Sequence, residues 1–572
     1  MNEKWQIKTV DSEASNVLTR HFGLSPLAAR ILSNRGIRTP EEADRFMKPS
    51  LRHLHSPFLM KDMDRAVHRV IKAIDSREKT LIYGDYDVDG VTSTALLVTF
   101  LQELGTAPHY YIPHRITEGY GLNLDAVRGF ARQGISLLIT TDCGISNRPE
   151  VEEAGRLGMD TIVIDHHEVP DDLPPAQAIL NPKQGDCRFP FDRLAGVGVA
   201  FQLLIALRTS LRERGFWHGT DPPNLKKYLD LVCLGTIADM VPLSDENRIF
   251  VKFGLEELTR GNRQGIRAMK TLSDLDKKVI NTGHVAFQLS PRLNASGRLD
   301  HARRAVELLL SDSTDDATKA ASELQALNSH RQRIEDRIRD DVIRQIEEDP
   351  DRLTRPCLFF SSPDWHPGVI GIVASRLVER FLMPAVLIAV NEENVGRGSG
   401  RSVNGIDLYA MLGTCRELLT AFGGHRMAAG FTVRGDVIPE LQRLFEKALR
   451  RHSVGQPSGP DLMIDAEVTL EEIDHQLLRD LSRLEPYGVG NPRPLFLARN
   501  VAVCDRRIVG KDSLKLRIKS RRSFEAIGFR MADLFPLASG RIDLVFTPHL
   551  NDWMGSSRIE LEVKGLMPHS PA

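Results

Sequence analysis

The sequence predicts an α/β protein: two α/β domains joined by a long helix, with a helical segment before them and a small β-barrel after them. Two separate stretches alternate short apolar strands with helical segments, which is typical of sheets with parallel strands. A long polar helix lies between these stretches, and short alternating segments fill the end of the chain, as in a small barrel. The predicted boundaries are 1–75, 76–312, 313–350, 351–452 and 461–568.

The first segment is predicted to be helical because it carries two helix-start signals. Ser25 is a candidate N-cap with Pro26 behind it, and Thr39 precedes Pro40 and Glu42 in the same way. Serine and threonine side chains accept hydrogen bonds from the free N–H groups of a first turn, and proline fits that turn. We therefore expect a helical segment before the first α/β domain.

The two α/β stretches are recognised by their strands. In the first, "TLIYGD", "SLLITTD" and "DTIVIDHH" are strand-like, with helical "VTSTALLVTFLQEL" and "RPEVEEAGRLG" between them. In the second, "CLFFSS" and "PAVLIAV" flank helical "GVIGIVASRLVERF". Ligands bind beyond the carboxyl ends of the strands in open parallel sheets, so the residues after each strand are candidates for function.

The long helix is predicted over residues 314–348, before Asp349-Pro350. One apolar face is formed by Leu324, Leu327, Ile334, Ile338, Val342 and Ile346, whose spacing is helical. After the second α/β stretch, "HSVGQPSGPD" (452–461) is predicted to be a linker because it is rich in proline, glycine and serine.

Composition excludes several classes of protein. The chain of 572 residues has a formal net charge of −1, 41% apolar and 26% charged residues, values that are ordinary for a globular protein and show no global basicity. Its six cysteines are scattered without a CxxC pair, which argues against a zinc ribbon or a disulfide framework. With no apolar signal region at the start and no apolar run of about 18 residues, we expect a cytoplasmic protein without a membrane span.

Acidic residues and histidines follow three strands of the first α/β stretch, and one further acid follows an apolar helix-like run. They are Asp85, Asp87 and Asp89 in "LIYGDYDVDG", Asp142 in "TTDCG", Asp165, His166 and His167 in "DHH", and Asp239 in "IADMVPL". Carboxylates with a histidine and no thiolate suit Mg²⁺ or Mn²⁺. The number of acids suggests two ions, an arrangement suited to phosphoester hydrolysis.

A single aspartate at a strand end is usually a turn residue or a helix cap, and a single "DHH" is more often a surface loop. "DYDVDG" alone resembles a calcium loop but lacks the downstream glutamate of an EF-hand. The combination of three strand ends with Asp239 favours a metal site.

These motifs, in this order, resemble the DHH phosphoesterase superfamily, and "SGRS" and "GGHRMAAG" resemble its associated C-terminal DHHA1 domain. Further segments resemble the RecJ family of bacterial single-strand-specific DNA exonucleases. They are "PHRITEGYGL", "AGVGVAFQL", "LNASGRLDHA", "WHPGVIGIVASR" and "EPYGVGNPRPLF". The resemblance implies a DHH domain, a DHHA1 domain and an OB-fold nucleic-acid-binding domain, and 5′→3′ release of mononucleotides from single-stranded DNA in recombination and repair, with two Mg²⁺ or Mn²⁺ ions.

The resemblance also implies roles for the acids and histidines. The metal ligands would be Asp87, Asp89, Asp142, His166 and Asp239, with Asp142 bridging both ions and Asp85 as an extra acid of the RecJ branch. Asp165 would orient His166, and His167 would face the scissile phosphate. Tyr83 stands where many relatives have a histidine, so the first ion would depend on Asp85 or a water instead.

Basic residues inside the matching motifs are candidates for substrate binding. They are Arg115, Arg292, Arg298, Arg376, Arg401 and Arg426. By resemblance, Arg401 with Ser399, and Arg115, would hold the terminal phosphate, and His425 would approach the substrate near the metals. Gly423 and Gly424 would allow close backbone approach. The alternative for any one arginine is a structural ion pair.

The last region carries a basic strand. Residues 506–522 hold eight basic residues and one acid, and Lys515, Arg517 and Lys519 alternate with apolar neighbours. Side chains alternate across a strand, so one face is basic and the other apolar. The basic face is either a solvated surface or a groove that follows DNA phosphates; the family's barrel favours the groove.

Two other functions remain open at this point. A DHH-family hydrolase of short oligoribonucleotides or cyclic dinucleotides would explain the acids but not the long chain or the basic strand. A non-catalytic single-strand-binding scaffold would not need the nearly complete ligand set. The family resemblance further implies single-strand-binding protein and a RecQ-type helicase as partners, and we expect a monomer.

Overall fold

The computed structural model describes residues 5–452, 462–553 and 556–570. The chain divides into two compact units: one contains Met1–Leu54, Met240–Lys252 and Pro460–Ala572, and the other contains His55–Asp239 and Phe253–Gly459. Most of the predicted linker, residues 453–461, lies outside the described residues, as do residues 554–555 of the predicted barrel. Among the described residues, no helix is both long enough and apolar enough to cross a membrane.

The N-terminal part of the first unit begins with a strand that the sequence did not predict. The elements are β1 (Trp5–Ile7), α1 (Ser12–Phe22), α2 (Pro26–Asn34) and α3 (Pro40–Met47). Ser25 caps α2, and Thr39 forms a capping box with Glu42 at α3, as predicted. Strand β1 pairs in parallel with Leu462–Ile464, a partner so distant in sequence that no local pattern indicates it.

The first sheet of the second unit is parallel, as predicted. The elements that build it are α4 (Met63–Asp75), β2 (Thr80–Gly84), α5 (Val88–Glu103), β3 (His109–Tyr111), α6 (Leu124–Arg132), β4 (Leu137–Thr141), α7 (Arg148–Arg156), β5 (Asp160–Ile164) and β6 (Ala178–Leu180). The strand order is β3-β2-β4-β5-β6, and every pair is parallel. Because β2, β4 and β5 are neighbours, the three motif-bearing strand ends lie side by side at one edge.

Helices occupy the chain after this sheet. They are α8 (Gly196–Glu213), α9 (Leu229–Ala238), α10 (Asp245–Arg260), α11 (Gln264–Leu272), α12 (Thr282–His284), α13 (Ser290–Leu299), α14 (Arg303–Leu310) and α15 (Thr314–Glu348). Helix α15 has the predicted bounds, and it buries Leu324, Ile338, Val342 and Ile346 of the predicted apolar face.

The second sheet of this unit is mixed. Its region contains β7 (Leu358–Ser362), α16 (Ile370–Phe381), β8 (Ala385–Val390), β9 (Val395–Arg401), α17 (Leu408–Gly413), β10 (Leu419–His425), β11 (Ala428–Arg434) and α18 (Ile438–His452). The order is β10-β11-β9-β8-β7, in which only β7 and β8 are parallel. The predicted α/β character is confirmed, with an antiparallel hairpin (β10 and β11) added at the edge.

The C-terminal region forms a closed barrel, which confirms the predicted fold class. Its elements are β12 (Leu462–Ile464), β13 (Ala466–Glu467), α19 (His475–Ser482), β14 (Phe496–Val509), β15 (Ser513–Lys519), β16 (Ser523–Gly528), β17 (Arg541–Trp553) and β18 (Ser556–Pro568). The pairing of β17 with β14 closes the sheet. Helices α1–α3 share one apolar core with the barrel, within the first unit.

Candidate metal centre and arginine cluster

Strands β2, β4 and β5 deliver acidic and imidazole side chains to one point, and the end of α9 adds another acid. We call the following residues the acid cluster: Asp85, Asp87, Asp89, Asp142, His166 and Asp239. The ligand atoms of three overlapping groups lie within 4.8 Å of one another: Asp85–Asp87–Asp142, Asp89–His166–Asp239 and Asp142–His166–His167. The groups Asp85–Asp87–Asp142 and Asp89–His166–Asp239 share no residue, so each could hold one of the two ions that the sequence led us to expect. The third group overlaps both of them, through Asp142 and His166.

The loop after β2 separates its aspartates by their backbone contacts. Asp87 caps α5, since its carboxylate accepts the N–H groups of Asp89 and Gly90 at 2.8 and 3.2 Å. Asp89 is buried, and it accepts the N–H groups of Gly196 and Val197, at the start of α8, at 2.6 and 2.8 Å. Two backbone donors fix the Asp89 carboxylate while it faces His166 and Asp239.

Three buried atoms of the acid cluster make no hydrogen bond to any described residue: Asp85 Oδ1, Asp142 Oδ1 and His166 Nε2. His166 Nε2 lies 3.1 Å from Asp142 Oδ1, 3.6 Å from Asp239 Oδ2 and 3.8 Å from Asp89 Oδ2. Buried polar atoms without partners are costly. Oxygen and imidazole donors that face one another fit hard or borderline divalent cations, so the residues present fit a Mg²⁺ or Mn²⁺ site.

Without cations, the acid cluster strongly disfavours its own charges. Burial, followed by the charge of Asp89, raises the pKa of Asp142 well above its usual range, and burial raises that of Asp239 to about 9. Burial also lowers the pKa of His166 to about 3, which leaves its ring nitrogen free to act as a ligand. Bound cations would compensate these carboxylates.

His167 is held by Asp165, which corrects one expectation from the sequence. Asp165 Oδ1 lies 2.7 Å from Nδ1 of His167, whereas it reaches His166 only through the backbone N–H at 2.8 Å. The backbone turns around this carboxylate, so the ring of His166 points to the acid cluster and bonds to the backbone of Leu194 instead. Burial opposes a charge on His167, but Asp165 outweighs it and raises the pKa of His167 to about 9.

Tyr120 is a site residue that no sequence pattern indicated. Its hydroxyl lies 3.2 Å from Nδ1 of His167 and donates a hydrogen bond to the backbone carbonyl of Asp142 at 3.2 Å. It therefore connects the segment 115–120 to the acid cluster. Its sequence signal was the segment "PHRITEGYGL", which carries the family resemblance without a residue-level role.

Tyr83 takes no part in the acid cluster. Its hydroxyl donates a hydrogen bond to the carbonyl of Gly121 at 2.8 Å, and its ring packs against Tyr111 and Phe130. Burial raises its pKa, so the phenol stays neutral. The open question about this position is answered by packing: Tyr83 is a core residue.

Three of the candidate arginines come together and form what we call the arginine cluster: Arg115, Arg298 and Arg401. Arg401 donates to the Ser399 hydroxyl at 3.1 Å, Arg298 donates to the carbonyl of Gly368 at 3.3 Å, and the Arg115 guanidinium lies 4.7 Å from the ring centre of Tyr86. Burial, followed by the charge of Arg115, lowers the pKa of Arg298 to about 9. Such a group of cations favours a bound anion, and a guanidinium fork suits phosphate.

Arg376 is placed differently from the arginine cluster. It forms an ion pair with Oε1 of Glu335 at 2.6 Å, and Glu335 also pairs with Arg331 at 3.1 Å. This ion pair is the structural alternative that the sequence left open for such an arginine, and substrate binding by Arg376 stays a prediction. Glu335 is buried on the same face of α15 as Ile338 and Val342, and the apolar spacing of that face does not reveal a buried carboxylate or its partner. Arg292 donates a hydrogen bond to the side-chain carbonyl of Gln325 at 2.6 Å.

The hairpin of β10 and β11 carries the remaining candidates of the second sheet. Gly424 has φ +140°, and a Cβ there would lie 2.5 Å from the carbonyl of Ala428, so only glycine fits. His425 is exposed, and its charge acts on Glu168, the residue after His167. A cavity of about 600 Å³ is lined by Arg115, Tyr120, Ser399 and Gly423, among others.

The basic strand of the barrel has the predicted alternation but not three free cations. Lys515 lies 3.3 Å from Glu525 and 3.9 Å from Glu560, and Arg517 lies 3.8 Å from Asp505. Lys519 is exposed and lines a groove of about 850 Å³ together with Ser520 and Arg541. Of the three, Lys519 is the one best placed to contact an anion in this groove.

Comparison with known proteins gives three family matches along the chain. Residues 79–236 match the N-terminal domain of the DHH family, residues 355–451 match the DHHA1 domain, and residues 464–565 match the RecJ OB domain.

Relatives match over nearly the whole chain. The single-stranded-DNA-specific exonuclease RecJ of Bacillus subtilis is 38% identical over 98% of this chain and 70% of the relative, and that of Dickeya dadantii is 36% identical over 95% and 96%. The crystal structure of RecJ from Thermus thermophilus in complex with Mn²⁺ superposes with a TM-score of 0.85, at 29% identity, covering 99% of this chain and 80% of that one. With these matches, and with the DHH motifs gathered at one sheet edge, the chain belongs to the RecJ family.

Proposed function

We propose that this protein is a metal-dependent exonuclease specific for single-stranded DNA, which releases mononucleotides in the 5′→3′ direction and acts in recombination and repair. The observation that carries the proposal is the acid cluster, whose buried Asp85, Asp142 and His166 atoms face one another without hydrogen-bond partners. The relatives with full-length similarity are single-stranded-DNA-specific exonucleases, which supports the choice of substrate.

The acid cluster would hold two divalent cations, Mg²⁺ or Mn²⁺. Asp89, His166 and Asp239 would hold one, and Asp85, Asp87 and Asp142 the other, with Asp142 close enough to both groups to bridge them. When bound, such ions activate water and neutralise charge on the leaving oxygen of a phosphodiester. Structures of RecJ from Thermus thermophilus contain Mn²⁺ or Mg²⁺, which supports this choice of ions.

His167 would act on the phosphodiester beside the acid cluster. Asp165 holds its Nδ1 and raises the pKa of the ring, which favours a proton on the other nitrogen. The Tyr120 hydroxyl, 3.2 Å from Nδ1, also limits the rotation of this ring. We assign to His167 the role of proton donor or electrostatic stabiliser, to Asp165 that of positioning it, and to His425 an approach to the substrate from the β10–β11 hairpin.

The arginine cluster would hold the 5′-terminal phosphate. Arg401 and Ser399 already form a hydrogen-bonded pair on one strand, while Arg298 and Arg115 approach from the other α/β domain of the same unit. A site for a terminal phosphate next to the acid cluster means that hydrolysis occurs one nucleotide from the 5′ end. This arrangement gives polarity and mononucleotide products a common structural cause.

Specificity for single strands would be steric. The substrate must lie between the two α/β domains, where Tyr120 and Ser399 line one cavity. Blunt duplex DNA should then be degraded far more slowly than its separated strands, and equal rates would contradict the steric explanation. The barrel would add a sequence-independent grip through Lys519.

One experiment tests the main proposal. A single strand is labelled separately at each end and digested with Mg²⁺, Mn²⁺ or chelator. We expect immediate loss of a 5′ label as a mononucleotide, a 3′-labelled ladder that shortens from the 5′ end, and no product with chelator. A preference for dinucleotides over long strands would instead indicate a small-substrate hydrolase.

From the family resemblance we also infer single-strand-binding protein and a RecQ-type helicase as partners, a cytoplasmic location and a monomeric state. Sedimentation of the purified chain tests the last of these. Pull-downs with purified single-strand-binding protein and with a purified RecQ-type helicase test the two partner interactions.

A further inference from the structure

Strand β9 carries one arginine, Arg397, that the proposed function does not use. Its sequence "GRGSGR" (396–401) alternates glycine with Arg397, Ser399 and Arg401. The glycines are buried, and a Cβ at Gly398 or Gly400 would collide with Phe431 or Leu408 beneath the sheet. Side chains alternate across a strand, so the two arginines and the serine all project from the opposite face.

Arg397 lies on this face without a countercharge. It is exposed, and within the described residues it forms no ion pair and no side-chain hydrogen bond. It lines the same cavity of about 600 Å³ as Ser399 and Arg115. The neighbouring positions are small: Gly430 lies opposite Ser399 and Thr432 lies opposite Arg397, so the cavity stays open between the two.

The strand register places Arg397 away from the acid cluster. Arg401 is in register with Ala428 and through it with His425, whose charge acts on Glu168 beside the DHH motif. Arg397 is in register with Thr432 and, through it, with Ala421, toward the opposite end of these three strands. A DNA strand that runs from Ser399 and Arg401 toward the acid cluster therefore leaves by the end of β9 opposite to Arg397.

What Arg397 can reach is an extension of the 5′ terminus itself. Two residues along a strand span about 6.6 Å, so the Arg397 side chain begins about that far from Ser399. This is the reach of a short chain of phosphoanhydrides attached to the terminal phosphate. A cavity of about 600 Å³ is also far larger than one phosphate requires.

We propose that Arg397 forms a subsite for the β- and γ-phosphates of 5′-triphosphorylated strands, next to the terminal-phosphate site of Ser399 and Arg401. The inference rests on the proposed function. Hydrolysis then occurs at the first internucleotide bond: water adds to phosphorus, the bond from phosphorus to the 3′-oxygen breaks, and that oxygen takes a proton. The first product is a nucleoside 5′-triphosphate, and no pyrophosphate is released.

The test compares 5′-monophosphorylated and 5′-triphosphorylated strands of one sequence. With the unsubstituted protein we expect both to be degraded, and chromatography of the first product from the second strand to give a nucleoside triphosphate. In Arg397→Gln, the ratio of kcat/KM for the triphosphate strand to that for the monophosphate strand should fall about tenfold, the size expected for charge-assisted bonds to phosphate. Arg434→Gln is the matched control, because Arg434 belongs to the same sheet but pairs with Asp436 at 2.7 Å; its ratio should not change.

Each other result overturns the subsite. A protein that degrades the monophosphate strand but stalls at the triphosphate has no room for the extension. Release of pyrophosphate, or an equal ratio in both variants, means that Arg397 serves another contact, such as a nucleobase. If neither strand is degraded, the proposed function fails separately, and calorimetry with inorganic tripolyphosphate in chelator decides the subsite: Arg397→Gln should weaken that binding relative to Arg434→Gln, and unchanged binding contradicts it.

Discussion

The acid cluster and the arginine cluster lie in the same unit, and each crowds ionisable groups of one sign, carboxylates in the first and half-buried guanidinium groups in the second. Burial raises the pKa of Asp239 to about 9 in the first and lowers that of Arg298 to about 9 in the second. Each shift reports an unfavourable charge that an ion of opposite sign would stabilise. The comparison teaches that opposite preferences are kept apart in this unit: the acid cluster favours bound cations, and the arginine cluster favours a bound anion.

The largest effect should come from removing a carboxylate shared by two ligand groups. Asp142→Asn should lower DNA hydrolysis by about three orders of magnitude or more, since charge stabilisation by cations is worth several kcal/mol. Binding of single-stranded DNA should remain, because the arginine cluster is intact. Rapid-quench assays and fluorescence anisotropy measure the two quantities.

A matched control for this variant is Asp186→Asn, which changes an exposed carboxylate paired with Lys61 in the same unit. It should keep normal turnover. If Asp142→Asn also turned over normally, the ligand assignment would be wrong.

Cation binding should also appear in stability, without any substrate. An ion at about 100 times its dissociation constant stabilises the folded protein by about 2.7 kcal/mol. Mn²⁺ should therefore raise the Tm in a calorimetric scan, and Asp142→Asn should lose most of this increase. If neither Mn²⁺ nor chelator changed the Tm of the unsubstituted protein, the acid cluster would not be a cation site, and it would not differ from the arginine cluster in this way.

The arginine cluster should control recognition of the 5′ end. Arg401→Gln removes charge-assisted hydrogen bonds of roughly 1.5–3 kcal/mol, so the preference for a 5′-phosphate over a 5′-hydroxyl should fall by about 10- to 100-fold. Initial rates on two otherwise identical strands give this ratio. Arg376→Gln is the comparison variant, since Arg376 pairs with Glu335 outside the cluster, and it should keep the preference. Equal losses in both variants would show that the cluster extends further than the contacts indicate.

The sequence predicted the acid cluster well because its information is local. Each acid follows an apolar strand or helix, and parallel strands place their carboxyl ends at one edge. What the sequence did not show depends on partners far away in sequence or on how the backbone turns. Asp165 binds the ring of His167 rather than His166, Arg376 pairs with Glu335, and β1 pairs with β12. Periodicity and spacing contain no signal for such contacts.

Tyr83 offers a smaller effect that separates packing from chemistry. Tyr83→Phe removes the hydrogen bond to Gly121 and should destabilise the protein by about 1 kcal/mol, measured by urea unfolding, with unchanged Mn²⁺ dependence of the rate. Tyr120→Phe should do the opposite: it removes the contact with His167, so turnover should fall, while the lost hydrogen bond to the Asp142 carbonyl comes from a residue that is 48% exposed and should cost less stability than the bond of buried Tyr83. A changed Mn²⁺ dependence in Tyr83→Phe would return that position to the metal centre.

The smallest effect concerns the barrel, where Lys519 is exposed to solvent. Lys519 lines a groove, whereas Lys515 has Glu525 and Glu560 as ionic partners. If Lys519 neutralises one DNA phosphate, Lys519→Gln should reduce the slope of log K against log salt by about 0.7. Lys515→Gln should change the slope less, because its charge is already compensated within the barrel. Anisotropy titrations over a salt series, with a single strand too long to be held by the arginine cluster alone, give both slopes. Equal slopes in the two variants would mean that the acidic partners of Lys515 release it when DNA binds. The barrel would then share with the arginine cluster the property of exchanging one set of charges for the phosphates of the substrate.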